Sequence, residues 1–346
     1  MDIMKLENNR FKKAYDLLKV TVLSGGPSRE RPVSLVSGQA VARALESAGY
    51  HVTIADITPT DLSALDLPAD VIFPVLHGVF GEDGQIQQIL EDRKLVYCGS
   101  GPQACRDSMN KHTTKVRALE VGIPTPAFDL VTSAADIPAG RACWSTPVVV
   151  KPTEEGSSFG VTIVKNAAEL DAVIRETLAQ YGPTLIEEYI DGRELTVSIL
   201  GEKALPIIEI RPASEFYDYE AKYNANDTAY VFVDDLPKKL CKQIQELSVT
   251  LAKAMSLRDF CRVDWRLDKD LNPYMLEVNA IPGFTDHSLL PKAADKAGMT
   301  MVDLCRTIVQ MALARRCASP SDIKPLQHCD SGIRHGEKEK NKRVTH

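Results

Sequence analysis

The segment 261–288, CRVDWRLDKDLNPYMLEVNAIPGFTDHS, concentrates the side chains best suited to chemistry. Side chains alternate between the two faces of a strand. A strand over 261–267 sets Arg262 and Asp264 on one face, against Val263, Trp265 and Leu267 on the other. A second strand over 274–279 sets Glu277 and Asn279 opposite Tyr274, Leu276 and Val278, and 269–273 reads as the turn between them. Two carboxylates and an amide oxygen converging beside an arginine form an oxygen-donor set suited to Mg²⁺ and a polyphosphate, hence to phosphoryl transfer. An acidic pair alone is more often the solvated face of a sheet. The run Asn279-Ala280-Ile281-Pro282-Gly283 shifts that balance, because a Pro-Gly turn there aims backbone N–H groups back at the carboxylates. Gly283 is expected to supply the close approach and unusual backbone angles of such a turn.

Further candidates lie upstream. Lys151 follows three valines and precedes Pro152 and the turn Gly156-Ser157-Ser158-Phe159-Gly160, a hairpin whose tip can fold over a phosphate. Lys111 opens a predicted helix, and either ammonium could pair with the α- and β-phosphates of a nucleotide. Glu187, Glu188, Tyr189 and Glu194 surround a strand pair, where carboxylates could accept from an adenine amino group and ribose hydroxyls; alone, they are a charged hairpin. Glu30, between Arg29 and Arg31 and ahead of a helix, either faces the helix dipole or holds a substrate ammonium. His77-Gly78-x-x-Gly81-Glu82-Asp83-Gly84 follows a strand, and its glycines imply close backbone approach; His77 reads equally as a satisfied loop histidine. The chain has no GxxxxGK[ST] loop and Gly25-Gly26 does not fit GxGxxG, which argues against P-loop and Rossmann nucleotide sites.

With 346 residues and 44% hydrophobic content, the chain is long enough for two or three domains with substantial cores. A net charge of −6 carries no basic excess, which excludes a nucleic-acid partner. Eight cysteines without a CxxC pair or a Cys/His cluster argue against a disulfide framework and a zinc site. No apolar run approaches the roughly 18 residues of a membrane span, and the start lacks a signal-peptide core, so a cytoplasmic location is expected.

The elements follow an α/β and α+β pattern. Strands at 20–23, 52–55 and 71–76 alternate with helices at 34–48, 84–92 and 111–120, predicting an N-terminal parallel sheet in a domain spanning 1–107, with 1–19 an extension. Strands at 148–151, 161–164, 184–189 and 193–200 and a helix at 167–180 predict a central domain over 108–200. Residues 201–316, with helices at 237–255 and 300–315, form a third, and 317–346 lacks apolar periodicity and is expected to be a disordered tail.

Together LSGGPSRERPVSL, HGVFGEDG, YCGSG, SMNKHTTK, VVVKPTEEGSSFG, FYDYEAKY, RVD and LEVNAIPGFTDHSLL resemble the D-alanine:D-alanine ligases of the ATP-grasp superfamily, over about 20–314. The resemblance implies a three-domain ATP-grasp architecture, ATP as substrate, two Mg²⁺ (or Mn²⁺), D-alanine as the other substrate, and a homodimer serving peptidoglycan synthesis. It implies that Glu30 holds the first D-alanine's ammonium, linked to Ser157 and Tyr223, with His77 nearby. Lys111, Lys151, Ser157 and Lys222 would bind ATP phosphates, Glu187, Glu188, Tyr189 and Ile190 the adenine, and Glu194 the ribose. Asp264, Glu277 and Asn279 would hold the metals, Arg262 and the Gly283 N–H would stabilise developing charge, and Ser288 would bind the second D-alanine's carboxylate. Departures from the usual pattern are Pro32, Asn110, Phe159, Ala280-Ile281 and Asp286; none removes a proposed ligand. In such a reaction ATP converts a carboxylate into an acyl phosphate, which the neutral amine of the second substrate attacks. The competing readings are a ligase joining D-alanine to D-lactate or D-serine, and a nucleotide-binding protein without turnover.

Overall fold

The computed structural model describes residues 18–137, 144–211 and 228–317. The expectations for Lys222, Tyr223, FYDYEAKY, most of the N-terminal extension and 318–346 therefore lie outside the described residues. Strand β1 (Lys19–Ser24) leads into helix α1 (Arg31–Ser47), which returns the chain to β2 (His51–Asp56) and β3 (Val71–Pro74). The three pair in parallel in the order β2-β1-β3, as the βα alternation requires. Helix α1 begins three residues before the expected start at Ser34, because Pro32 sits in its first turn, where a missing N–H breaks no helical bond.

Helix α2 (Gln85–Asp92) is followed by α3 (Pro102–Met109), which sequence periodicity did not reveal, and α4 (Lys111–Glu120). Asn110 ends α3 and caps α4, its Oδ1 accepting from Thr113 N at 3.0 Å. Strands β4 (Phe128–Val131), β5 (Val148–Pro152) and β6 (Thr162–Val164), helix α5 (Leu170–Tyr181) and β7 (Thr184–Glu188) build a four-stranded antiparallel sheet, β4-β7-β5-β6. Val148, Val150, Ile174 and Ile186 form its core.

The largest sheet among the described residues contains β8 (Gly192–Leu200), β9 (Lys203–Ala204), β10 (Ile208–Arg211) and β11 (Ala229–Phe232). After helix α6 (Lys238–Ala254) come β12 (Phe260–Asp268) and β13 (Pro273–Asn279). Its order is β11-β10-β8-β12-β13, with β9 attached to β8. The strand expected at 193–200 as part of the central unit thus belongs to this sheet, paired with β12 along its whole length. Leu195, Val197 and Ile199 on β8 share one core with Val263, Trp265 and Leu267 on β12. That long-range apolar match, which adjacency in sequence does not display, places the break between the two sheets near 189–191.

Helices α7 (Leu289–Lys296), unanticipated, and α8 (Met301–Cys317) close the chain. Val20, Val41 and Phe73 of the first unit share a core with Phe260, Phe284 and Ile308. Phe284 meets Phe73 and Phe260 edge-on at 5.5 and 5.3 Å between ring centres, a favoured aromatic geometry.

Candidate active site

The β12–β13 register pairs Arg262 with Asn279 and Asp264 with Glu277, so these four side chains share a face. The pairing slips after Asp264, where Trp265 faces Met275 and Leu276 is the extra residue of a bulge. Strict alternation had put Leu276 with Val278 on the opposite face; instead Met275 and Val278 point into the core, and Leu276 joins Glu277 lining a cleft. Arg262 Nε and Nη2 donate to the two Asp264 oxygens at 2.9 and 2.8 Å, and Thr196 Oγ1 donates to Asp264 Oδ1 at 2.6 Å. Lys111 Nζ lies 3.5 Å from Glu277 Oε2 and donates to the Glu155 carbonyl at 2.5 Å. In the following turn the Ile281 N–H returns to Asn279 Oδ1 at 2.9 Å, reaching the amide where a carboxylate had been expected. Gly283 serves close approach and not an unusual φ: a Cβ there would stand 2.6 Å from Ser288 Oγ.

Two clefts meet at this face, sharing Lys111, Glu155 and Glu277. Around the first are Glu30, His77, Ser157, Arg262, Asn279, Gly283 and Ser288. Glu30 stands at the start of α1, and the glycine-rich turn brings Ser157 Oγ to donate to it. Ser157 and Ser158 hold the left-handed φ of 49° and 62°, and Gly160 follows at 71°, so the turn curls sharply. Gly78 and Gly156 leave room for the Glu30 carboxylate, since a Cβ on either would come within 3.3 and 3.1 Å of Oε2. A second contact holds the same tip, with the Arg29 guanidinium 5.5 Å from the centre of the Phe159 ring. His77 is buried, and its Nε2 has no hydrogen-bond partner among the described residues. Burial pulls its pKa down, outweighing the nearby Glu30 charge.

Glu82, not picked out from sequence, is buried beside His77 and accepts from Gly78 N at 2.6 Å. Burial, reinforced by the Glu30 charge, pushes its pKa up to about 8. Sequence reading likewise passed over His287 and Tyr230, which line the same cleft.

Lys151, Glu187, Glu188, Tyr189, Ile190, Glu194 and Asp264 surround the second cleft. Val149, Val161 and Ile163 supply apolar walls, and Arg266 donates to the Ile190 carbonyl at 3.2 Å. Lys151 was expected to face a ligand; its Nζ is 2.8 Å from Glu187 Oε2. The other Glu187 oxygen is 3.0 Å from Lys115 Nζ, in an ion pair without hydrogen-bond alignment. Burial works to raise the Glu187 pKa, but the two ammonium groups prevail and hold it below its usual value. Lys115 itself is drawn down to about 8, chiefly by burial and against the pull of Glu187. Lys115 was missed, although four residues after Lys111 on α4 it lies on the same helical face.

The model for "D-ala D-ala ligase C-terminus" matches residues 118–310, more than half of the chain, and "D-ala D-ala ligase N-terminus" matches 59–100. The chain belongs to the D-alanine–D-alanine ligase family. It is 41% identical to D-alanine–D-alanine ligase B of Chromobacterium violaceum over 84% of this chain and 96% of that one. Its identity to the Aquifex aeolicus D-alanine–D-alanine ligase is 40%, over 84% of this chain and all of the relative. In three dimensions it resembles the Bacillus anthracis D-alanine–D-alanine ligase solved with ATP, with a TM-score of 0.76 and 32% identity over 87% and 99% of the two chains. The three-unit ATP-grasp fold and the N-terminal parallel sheet follow the family. Among the described residues no helix is long and apolar enough to cross a membrane.

Proposed function

We propose that this protein joins two D-alanines to D-alanyl-D-alanine, converting ATP to ADP and phosphate through an acyl phosphate, in the cytoplasm where peptidoglycan precursors are made. The observation that carries the reading is the junction of the two clefts at Lys111 and Glu277, beside Asp264 and Arg262. A nucleotide lying in the second cleft, with its base near Glu187 to Ile190 and its ribose near Glu194, would bring its γ-phosphate to this junction. Glu187 lies in the wall of that cleft, its two oxygens set against Lys151 and Lys115. In the first cleft Glu30, with Ser157, takes the ammonium of the first D-alanine, and Ser288 the carboxylate of the second.

Asp264, Glu277 and Asn279 are hard oxygen donors. Asp264 and Glu277 stand opposite each other on β12 and β13 with Asn279 on the same face, a donor set that suits Mg²⁺ held by one or two carboxylates together with substrate phosphates. When bound, Mg²⁺ would offset the negative charge of the transferring phosphoryl group. Lys111 and Lys151 add positive charge along the same path, Lys151 after turning from Glu187. Arg262 and the Gly283 N–H face the carboxyl carbon and stabilise its tetrahedral oxyanion. The hairpin tip over the junction excludes water that would otherwise hydrolyse the acyl phosphate. Outside the described residues, Lys222 and Tyr223 are assigned to the phosphates and to the Glu30–Ser157 link.

The test is product identification by mass from an equimolar mixture of D-alanine and D-lactate with MgATP at pH 7.5, with L-alanine and D-serine as separate arms. D-Alanyl-D-alanine should predominate and L-alanine should give nothing. Predominant depsipeptide, or dipeptide containing D-serine, would transfer the assignment to the corresponding ligase. The homodimer expected for the assembly is checked by light scattering.

A further inference from the structure

Helix α4 presents two buried lysines one turn apart, and each faces a carboxylate on a different sheet. Lys111 faces Glu277 on β13, and Lys115 faces Glu187 on β7. The Lys115 side chain has no solvent exposure. Its Nζ also donates to Thr125 Oγ1 at 2.6 Å, and Thr125 Oγ1 donates to the Met275 carbonyl at 2.7 Å. The Met275 N–H in turn bonds the Pro124 carbonyl at 2.8 Å. Met275 stands at the bulge that turns Leu276 and Glu277 toward the clefts. A continuous chain of contacts thus runs from Glu187, through Lys115 and Thr125, to the backbone that aims Glu277. The Phe128 ring, 5.5 Å from the ammonium, closes a further side of the pocket.

We propose that Lys115 is a positioning residue for the nucleotide, tying the floor of the second cleft to the bulge of β13 and balancing Glu187 so that Lys151 can turn to the phosphates. The proposal rests on the second cleft being the nucleotide site. Lys151 and Lys115 share one carboxylate, each within ion-pair distance of a different oxygen. With Lys115 absent, Glu187 keeps Lys151 as its counter-charge, because a buried carboxylate left unpaired is strongly disfavoured. Lys151 would then be withheld from the nucleotide, and the base-binding floor would lose its link to the strand bearing Glu277. The effect falls mainly on nucleotide binding, since Lys151 and Glu187 line the second cleft and not the first, while Glu277, common to both, keeps its own contact with Lys111.

The experiment uses the full chain with three substitutions. Lys115→Met keeps the length and removes the charge; Thr125→Val keeps the shape and removes the hydroxyl; Thr125→Ser keeps the hydroxyl. Affinity for a non-hydrolysable ATP analogue with Mg²⁺ is measured by calorimetry, alongside KM for ATP, KM for D-alanine at saturating ATP, and Tm. Lys115→Met should weaken analogue binding about tenfold or more, as expected for loss of a charged hydrogen-bonded contact. Thr125→Val should weaken it by roughly threefold, and Thr125→Ser should match the wild type. KM for D-alanine should stay within about twofold throughout. Unchanged analogue affinity in Thr125→Val, or parallel rises in both KM values with a fallen Tm, would overturn the proposal, and the Thr125 pair decides it even where Lys115→Met does not fold. A wild type that binds no nucleotide overturns it as well. A wild type that binds the analogue but makes no dipeptide overturns the ligase reading alone.

Discussion

At the scale of single residues, the site is built from charges whose partners are already in place. Asp264 is held by Arg262 and Thr196, and Glu277 faces Lys111, so each carboxylate is aimed before any ligand arrives. Glu277→Gln, at a half-buried carboxylate, should leave Tm near the wild-type value, whereas Asp264→Asn should lower Tm because Arg262 loses its buried counter-charge. Both should lower turnover more than about a hundredfold, if each carboxylate contributes roughly 3 kcal/mol to the transition state. Turnover assays at saturating Mg²⁺ decide it, and near-normal rates would remove these residues from the metal assignment. Glu82 makes a different kind of prediction. Its pKa rises from the ordinary 4.5 to about 8 in the fold, chiefly by burial. Between those values the folded chain keeps a proton that the unfolded chain has released. Its stabilising contribution is present below pH 4.5 and is lost as pH rises to 8. Glu82→Gln, which can still accept from Gly78 N, should flatten that decline and raise Tm at pH 8 by about 1–2 °C, the effect of roughly 1 kcal/mol in a protein of this size. Melting curves at pH 5 and pH 8 test it; an equal pH-dependence in both proteins would refute it.

At the scale of elements, a cap and a bulge set the directions of the reactive groups. Asn110 terminates α3 and caps α4, so it fixes where Lys111 and Lys115 emerge. Its amide also donates to Glu154 Oε1 at 2.8 Å, tying the cap to the segment before the glycine-rich turn. Asn110→Ala should cost about 1 kcal/mol, typical of a lost N-cap, and should raise KM for ATP more than KM for D-alanine because both lysines move with the helix start. Steady-state kinetics and a melting curve check both parts. Sequence reading marked Asn110 only as a departure from the family pattern; the structure shows that its amide oxygen caps α4. The bulge in β13 was not readable, because it exists only in the pairing with β12.

At the scale of the whole molecule, the first cleft lies between units that share a core. Phe73 on β3, Phe260 on β12 and Phe284 after β13 are almost completely buried and pack on one another. Phe284 adjoins Gly283, and its N–H bonds Ser37 Oγ on α1 at 3.2 Å. Phe284→Ala should thus cost about 3–5 kcal/mol, lowering Tm by roughly 4–7 °C, and should reduce ligation at temperatures where the variant is fully folded. Calorimetry should show the N-terminal sheet and the larger sheet melting together, since one core spans both. Two separate transitions for these units would contradict that coupling.

The amino-acid sequence by itself determined the parallel start of the chain, the positions of its long helices, the glycine-rich hairpin and the pairing of Arg262 and Asp264 with Glu277 and Asn279. These are local properties: periodicity, turn chemistry and alternation act over a few residues, and here they agree with one another. Tertiary structure alone decided that β8 joins β12, that Leu276 faces the cleft, that Lys151 rests against Glu187, and that Glu82 and Lys115 are buried in the site. Each of these depends on a partner far away in the chain. Sheet membership follows from which distant apolar surfaces match, and the state of a buried charge follows from the opposite charges and the excluded water that only the assembled fold provides.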